Sequence, residues 1–230
     1  MIEAIFFDYN GVIIDDERLQ MQVYQEVLQG RGIGLTADQY FAALGMDDRT
    51  FVQAVFRQQP ALLTDETLIQ VLAVKTERYR ELVQDELPLC PGVVTFLKAT
   101  SRHYALGLVS MADREEIQYV FERARLSNLF QVIVTAKSVG KCKPAPDCYH
   151  YALEKLNEKR RSSRLLPLLP QECLVIEDSP PGIRSGKEAG MRTLGVTNTV
   201  SETALREAGA DVVTRSLADW TVEAVELVFS

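Results

Sequence analysis

The sequence predicts an α/β protein, a parallel sheet flanked by helices and interrupted early by an all-helical insertion. Two observations carry this reading. Short, nearly continuous apolar runs alternate with helical patterns over most of the chain, as in strands that are covered on both faces and joined by helical crossovers. Between about residues 17 and 84 that alternation stops, and only helical periodicity remains.

The apolar runs place strands at 3–7, 104–109, 131–134, 172–176, 193–196 and 211–213. Helices are expected at 113–124, 146–156, 181–189, 202–208 and 217–228. Gly190 and Gly209 fall where helices should stop, because glycine takes the left-handed conformation of a helix end without steric cost. Inside the insertion, Leu19, Val23, Val27 and Leu28 make one apolar stripe. Phe51, Val55 and Phe56 make a second, and Leu68, Val71, Leu72 and Lys75 a third. Thr36 and Thr64 are placed to cap helices, Thr64 with Asp65 and Glu66 in the first turn. The chain returns to the sheet near 88–91. Residues 1–15 and 89–230 therefore form the α/β domain, and 16–88 the helical one. Lys159 to Arg164 is a basic run inside a Leu/Pro-rich insertion at 158–170, and it reads as a solvated loop. Trp220, Tyr40 and Phe41 read as core or domain-seam residues.

Composition bounds the function. The 230 residues carry 25 Lys+Arg and 32 Asp+Glu, a net charge of −7, with 47% hydrophobic residues. That acidic balance argues against non-specific binding to nucleic acid or to an anionic membrane. No apolar run approaches the ~20 residues that span a bilayer. The N-terminus has no basic leader and no small-residue cleavage site, so a cytoplasmic location is expected. Cys90, Cys142, Cys148 and Cys173 include no Cys-x-x-Cys pair, and the only histidines are His103 and His150. Reduced thiols are expected, and no zinc site.

Chemistry-bearing residues gather at the ends of four expected strands. Asp8 follows the first, in Asp8-Tyr9-Asn10-Gly11-Val12, where open α/β sheets bind ligands. A carboxylate there can act as nucleophile or metal ligand. Ser110 ends the second, followed by Met111 and Ala112 at a helix start, where a hydroxyl and free amides can hold a phosphate oxygen. Lys143 lies in a loop before a helix, in Lys141-Cys142-Lys143-Pro144-Ala145-Pro146-Asp147; its ammonium can neutralise a phosphoryl group. Glu177-Asp178-Ser179 follows the fourth strand, and two adjacent carboxylates suit a hard cation.

In that order and spacing the four stretches resemble the haloacid dehalogenase superfamily, most of all its branch of β-phosphoglucomutases and sugar-phosphate phosphatases. Val175-Ile176-Glu177-Asp178-Ser179 and Lys143-Pro144-Ala145-Pro146-Asp147 are the most specific stretches. The resemblance covers nearly the whole chain. It implies a Rossmann-like parallel core with the helical insertion as a cap that closes over the site. It implies Asp8 as the residue that attacks phosphorus and carries an aspartyl-phosphate. Mg²⁺ would be held by Asp8, the Asn10 backbone carbonyl and Asp178, with Glu177 acting indirectly. Ser110, Met111 and Lys143 would bind the transferring group. Lys141 competes with Lys143, but Lys143 directly precedes Pro-Ala-Pro-Asp, where the family's lysine falls. The implied activity is a phosphatase of a small phosphorylated metabolite, in a monomeric chain. The alternatives are a phosphosugar mutase and a non-catalytic phosphate-ligand binder.

Two departures stand out. Relatives usually have an aspartate two residues after the nucleophile, as acid–base; here Asn10 stands there, and an amide cannot donate and recover a proton. Activity on poor leaving groups should therefore be weak, and Asn10→Asp should raise it by ~10-fold or more. Asp15, Asp16 and Glu17 are the nearest substitutes by sequence. Related mutases also tend to have a histidine where this chain has Gln20. In the insertion, Asp48 and Arg49 follow Gly45 and are candidates to touch substrate, or else mark a helix start with solvated charges.

Overall fold

The computed structural model describes residues 1–59 and 63–230. Six parallel strands form one sheet: β1 (Ala4–Phe7), β2 (Ala105–Val109), β3 (Val132–Val134), β4 (Cys173–Glu177), β5 (Arg192–Val196) and β6 (Val212–Thr214), in the order β3-β2-β1-β4-β5-β6. Each lies within one residue of its expected position. Central β1 is buried on both faces: Ile5 and Phe7 join one core cluster, and Ala4 and Phe6 the other, as the two-residue period of a strand requires.

Strand order reverses direction between β1 and β4, the switch point where such sheets open a crevice at their carboxyl ends. Registers Phe7↔Leu108 and Phe7↔Ile176 bring the ends of β2 and β4 level with the end of β1. Asp8, Ser110 and Asp178 therefore emerge along one edge.

The insertion after β1 contains α1 (Glu17–Gln29), α2 (Ala37–Phe41), α3 (Asp48–Arg57) and α4 (Asp65–Val83). Tyr24, Leu28, Tyr40, Phe51, Phe56, Leu68 and Val71 build its own core. Thr36 accepts the Gln39 N–H in a reciprocal capping box, and Thr64 accepts that of Thr67. The segments leading in and out lie side by side. The Asp15 N–H donates to the Pro88 carbonyl at 2.7 Å, and the Cys90 N–H to the Ile13 carbonyl at 3.0 Å.

The remaining helices are α5 (Val93–Thr100), α6 (Arg114–Ala124), α7 (Asp147–Ser162), α8 (Pro180–Glu188), α9 (Glu202–Glu207) and α10 (Val222–Val228). Residues of α5, α6 and α10 cover one face of the sheet, and those of α7 the other. Three features differ from expectation. Helix α5 was not anticipated, although Val93, Phe96, Leu97 and Thr100 give it a regular buried stripe. Helix α7 runs six residues further than expected, to Ser162, so most of the basic run is helical and not a loop. Lys159, Arg160 and Arg161 sit in its last turn, at the negative end of the helix dipole. The expected helix at 217–228 is split, because the Thr221 side chain accepts the Ala224 N–H and starts α10 afresh.

Candidate active site

Asp8 continues β1 by one step, its N–H donating to the Ile176 carbonyl at 3.0 Å. Gly11 then turns the chain at φ +70°, and a Cβ there would collide with the Asp178 carboxylate and the Thr199 hydroxyl. Only glycine lets the turn after β1 approach the end of β4 this closely.

Lys143 is buried and sits between the two strands' acids. Its Nζ is 2.9 Å from Asp8 Oδ1 and 2.6 Å from Glu177 Oε1, and donates to the Val109 carbonyl at 3.1 Å. All three ammonium protons are thereby directed. Burial works against the charge, but Asp8 and Glu177 hold the Lys143 pKa above the usual lysine range.

Glu177 is fully buried and accepts four hydrogen bonds. Lys143 and the Tyr149 hydroxyl (2.9 Å) reach Oε1; the Asp178 N–H (3.2 Å) and Ser179 Oγ (3.1 Å) reach Oε2. It fixes both the lysine and the turn after β4. Asp178 beside it is buried, and its Oδ2 has no hydrogen-bond partner among the described residues. Asp8, Glu177 and Asp178 each present an oxygen, all within 4.8 Å of one another. An orphaned carboxylate oxygen inside such a cluster fits a hard divalent cation, which would supply the missing contact. Burial, then Glu177, push the Asp8 carboxyl up to about 7, against the pull of Lys143. Burial, Glu177 and Asp8 raise Asp178 as well.

Ser110 is buried at the end of β2, and its Oγ accepts the Ala112 N–H at 3.0 Å. Met111 and Ala112 line the cavity above Asp8. Asn10 lines it too, with its Nδ2 donating to Asp16 Oδ1 and Oδ2 at 3.0 and 3.1 Å.

This cavity, of about 80 Å³, lies between the sheet edge and the insertion. Tyr24, Tyr40, Phe51, Glu17, Asp48 and Lys75 contribute its far wall. Gly45 brings the loop before α3 onto Pro181 and Lys143. Asp48 and Arg49 separate. Asp48 lines the cavity, accepting from the Tyr24 hydroxyl at 2.6 Å and from Lys75 Nζ at 3.1 Å. Arg49 is exposed and faces an outer groove between the insertion and α6. One step along a helix rotates a side chain by about 100°, which leaves Arg49 on the outer groove alone while Asp48 borders both that groove and the cavity.

Sequence reasoning missed a buried network beneath this wall. Lys75 Nζ is 2.8 Å from Glu116 Oε2, and both residues are 2% exposed. Gln20 Nε2 bridges Glu116 (2.6 Å) and Asp16 (3.1 Å), and the Tyr79 hydroxyl donates to Asp16 at 2.6 Å. The available signal was Lys75 itself, a cation standing on an apolar stripe.

A doubly wound sheet with carboxylates at its switch point, a buried lysine between them and a helical roof defines a class of α/β hydrolase. The family model of haloacid dehalogenase-like hydrolases matches residues 2–190, and the chain belongs to that family. The phosphorylated carbohydrates phosphatase of Thermotoga maritima is 29% identical over 212 residues, spanning 91% of this chain and 92% of the relative. The crystal structure of β-phosphoglucomutase from Clostridium difficile shares the fold, with a TM-score of 0.84 at 22% identity over 100% of this chain and 97% of that one. CbbY from Rhodobacter sphaeroides, solved in complex with phosphate, has a TM-score of 0.78 at 25% identity, covering 95% and 96%.

Proposed function

We propose that the chain is a Mg²⁺-dependent phosphatase of a small monophosphorylated metabolite, working through an aspartyl-phosphate on Asp8. The observation that carries this reading is the Lys143 ammonium held between Asp8 and Glu177, beside the unpartnered Asp178 oxygen. Asp8, the Asn10 carbonyl and Asp178 would hold the cation, and Glu177 would order the site around it. When bound, it screens the charge of the phosphoryl oxygens from the attacking carboxylate.

Asp8 attacks phosphorus and the alkoxide leaves; water then attacks the acyl phosphate, releasing phosphate and restoring Asp8. Lys143 offsets the negative charge of both nucleophile and phosphoryl group. Ser110 is fully buried and does not line the cavity; by accepting from Ala112 it positions the Met111–Ala112 backbone that does, where a phosphoryl oxygen would be held. Residues 16–88 act as a cap, hinged on the paired segments at Ile13–Asp15 and Pro88–Cys90. The cavity lies between the cap and the sheet edge, so swinging of the cap would admit substrate and its closure would exclude water.

A mutase must grip a phosphate at each end of a bisphosphate. Among the described residues, Lys75 is the one cation in the cap wall of the cavity, and it is engaged by Asp48 and Glu116. The wall otherwise presents hydroxyls, carboxylates and aromatic rings, which suit the neutral polyol part of a monophosphate. This favours phosphatase over mutase.

The test is release of inorganic phosphate from a panel of sugar and polyol phosphates with Mg²⁺, with chelator, and by Asp8→Asn. Turnover that needs both Mg²⁺ and Asp8, without isomerised product, is expected. Turnover unaffected by Asp8→Asn would overturn the assignment.

A further inference from the structure

Hydrolysis in two displacements needs a proton for the departing alkoxide and a base for the attacking water. Asn10 supplies neither. Three carboxylates follow it closely in sequence, and the fold separates them. Asp15 is exposed, and its backbone is tied to Pro88. Asp16 is fully buried, takes hydrogen bonds from Asn10, Gln20 and Tyr79, and does not line the cavity.

Glu17 is different. It opens α1 and lines the same cavity as Asp8, Asn10, Lys143 and Asp178. Its Oε2 accepts from the Tyr40 hydroxyl at 2.7 Å, while Oε1 takes no hydrogen bond from the described residues. One oxygen is anchored and the other is free of hydrogen bonds from the described residues, on a side chain that lines the same cavity as Asp8.

We propose that Glu17 is the general acid–base of this site, taking the place left by Asn10; this rests on the phosphatase reading above. In the first step Asp8 forms a bond to phosphorus as the ester P–O bond breaks. The leaving oxygen takes that electron pair together with the Glu17 proton. In the second, the Glu17 carboxylate takes a proton from water as the water oxygen bonds to phosphorus. The P–O bond to Asp8 then breaks and its electron pair returns to the Asp8 carboxylate.

The surroundings favour this cycle. Burial, first, and the neighbouring Asp16 and Asp8 push Glu17 up to about 8, opposed by the Tyr40 hydroxyl and Lys75. Asp178 and Lys143 on the core side, Asp48 and Tyr24 on the cap side, and Glu116 of α6 also face this cavity. Glu17 is thus protonated at neutral pH, ready to donate.

The test uses phenyl phosphate, a poor leaving group, and p-nitrophenyl phosphate, a good one. The parent should lose activity above about pH 8; Glu17→Gln should lower kcat/KM by ~100-fold on the first ester and by less than ~10-fold on the second, and should abolish that alkaline loss. Tyr40→Phe removes the hydroxyl that favours the carboxylate, so whatever it does to substrate binding it should move that alkaline limit upward. Equal losses on both esters in Glu17→Gln, or an alkaline limit that Tyr40→Phe leaves in place, would overturn the role. If the parent hydrolyses neither ester with Mg²⁺, the phosphatase reading falls and Glu17 falls with it. If the parent is active and Asp8→Asn is dead but Glu17→Gln is unimpaired, the Glu17 assignment alone fails.

Discussion

Asn10 is held by Asp16: the Asn10 amide donates to both Asp16 oxygens, and Asp16 has no exposed surface. From the sequence, Asn10→Asp restores a missing acid–base and raises turnover. The structure adds a cost, because a second carboxylate would face Asp16 across hydrogen-bond distance inside the protein. Two such groups cannot both ionise freely. We expect Asn10→Asp alone to lose stability in urea unfolding. The double variant Asn10→Asp with Asp16→Asn should recover ~1–3 kcal/mol of it, the usual coupling for residues in direct contact. Additive effects of the two changes would show that the pair is not coupled. Any gain in rate on poor leaving groups should appear in the double variant and not in the single one.

At the scale of elements, the cap rests on the core through α4 and α6. Lys75 of α4 meets Glu116 of α6, and Gln20 of α1 reaches the same glutamate. Burial opposes the Lys75 charge, but Asp48 and Glu116 outweigh it and raise its pKa above the usual lysine range. Removing one partner of a buried pair leaves the other charge uncompensated, at a cost of about 3–5 kcal/mol. Lys75→Met should therefore lower the melting temperature by ~6–20 °C, taking ~2–4 °C per kcal/mol for a chain of this size. Adding Glu116→Gln should restore part of the loss, because the stranded carboxylate is then gone. A melting curve unchanged by Lys75→Met would mean that water already serves these acids.

At the scale of the whole molecule, the site concentrates acids whose folded pKa values lie above their unfolded ones. Asp8 is raised to about 7, Glu17 to about 8, and Asp178 in the same direction. Unfolded carboxyls titrate near ~4. Above that pH the folded chain therefore binds more protons than the unfolded one. Stability is fully present below the unfolded values and is lost as pH rises toward 7–8. A divalent cation needs the ionised carboxylates, so its stabilising effect should grow as pH rises through the same window. Thermal melts with and without Mg²⁺ at pH 5 and pH 8 test this; the Mg²⁺ increment should be larger at pH 8 and vanish in Asp178→Ala. An increment that is equal at both pH values would place the cation elsewhere.

The strands and their parallel order, the helical insertion and the residues at the strand ends were legible in the sequence, because each rests on local information. Apolar runs mark β1 to β6, threonines mark the starts of α2 and α4, and Asp8, Lys143 and Glu177-Asp178 follow buried segments at recognisable intervals. What the tertiary structure alone decided is which neighbouring side chains share a space. Adjacent residues on a helix point about 100° apart. Asp48 therefore reaches the cavity while Arg49 lines only the outer groove; likewise Glu17, at the start of α1, lines the cavity with Asp8 while Asp16, its N-cap, is sealed behind Asn10. The Lys75–Glu116 contact spans 41 residues of chain, and the Lys143–Glu177 contact spans 34. No local pattern encodes pairs so far apart; packing the insertion onto α6 makes the first and the fold of the α/β domain itself makes the second, since a buried charge must find its opposite.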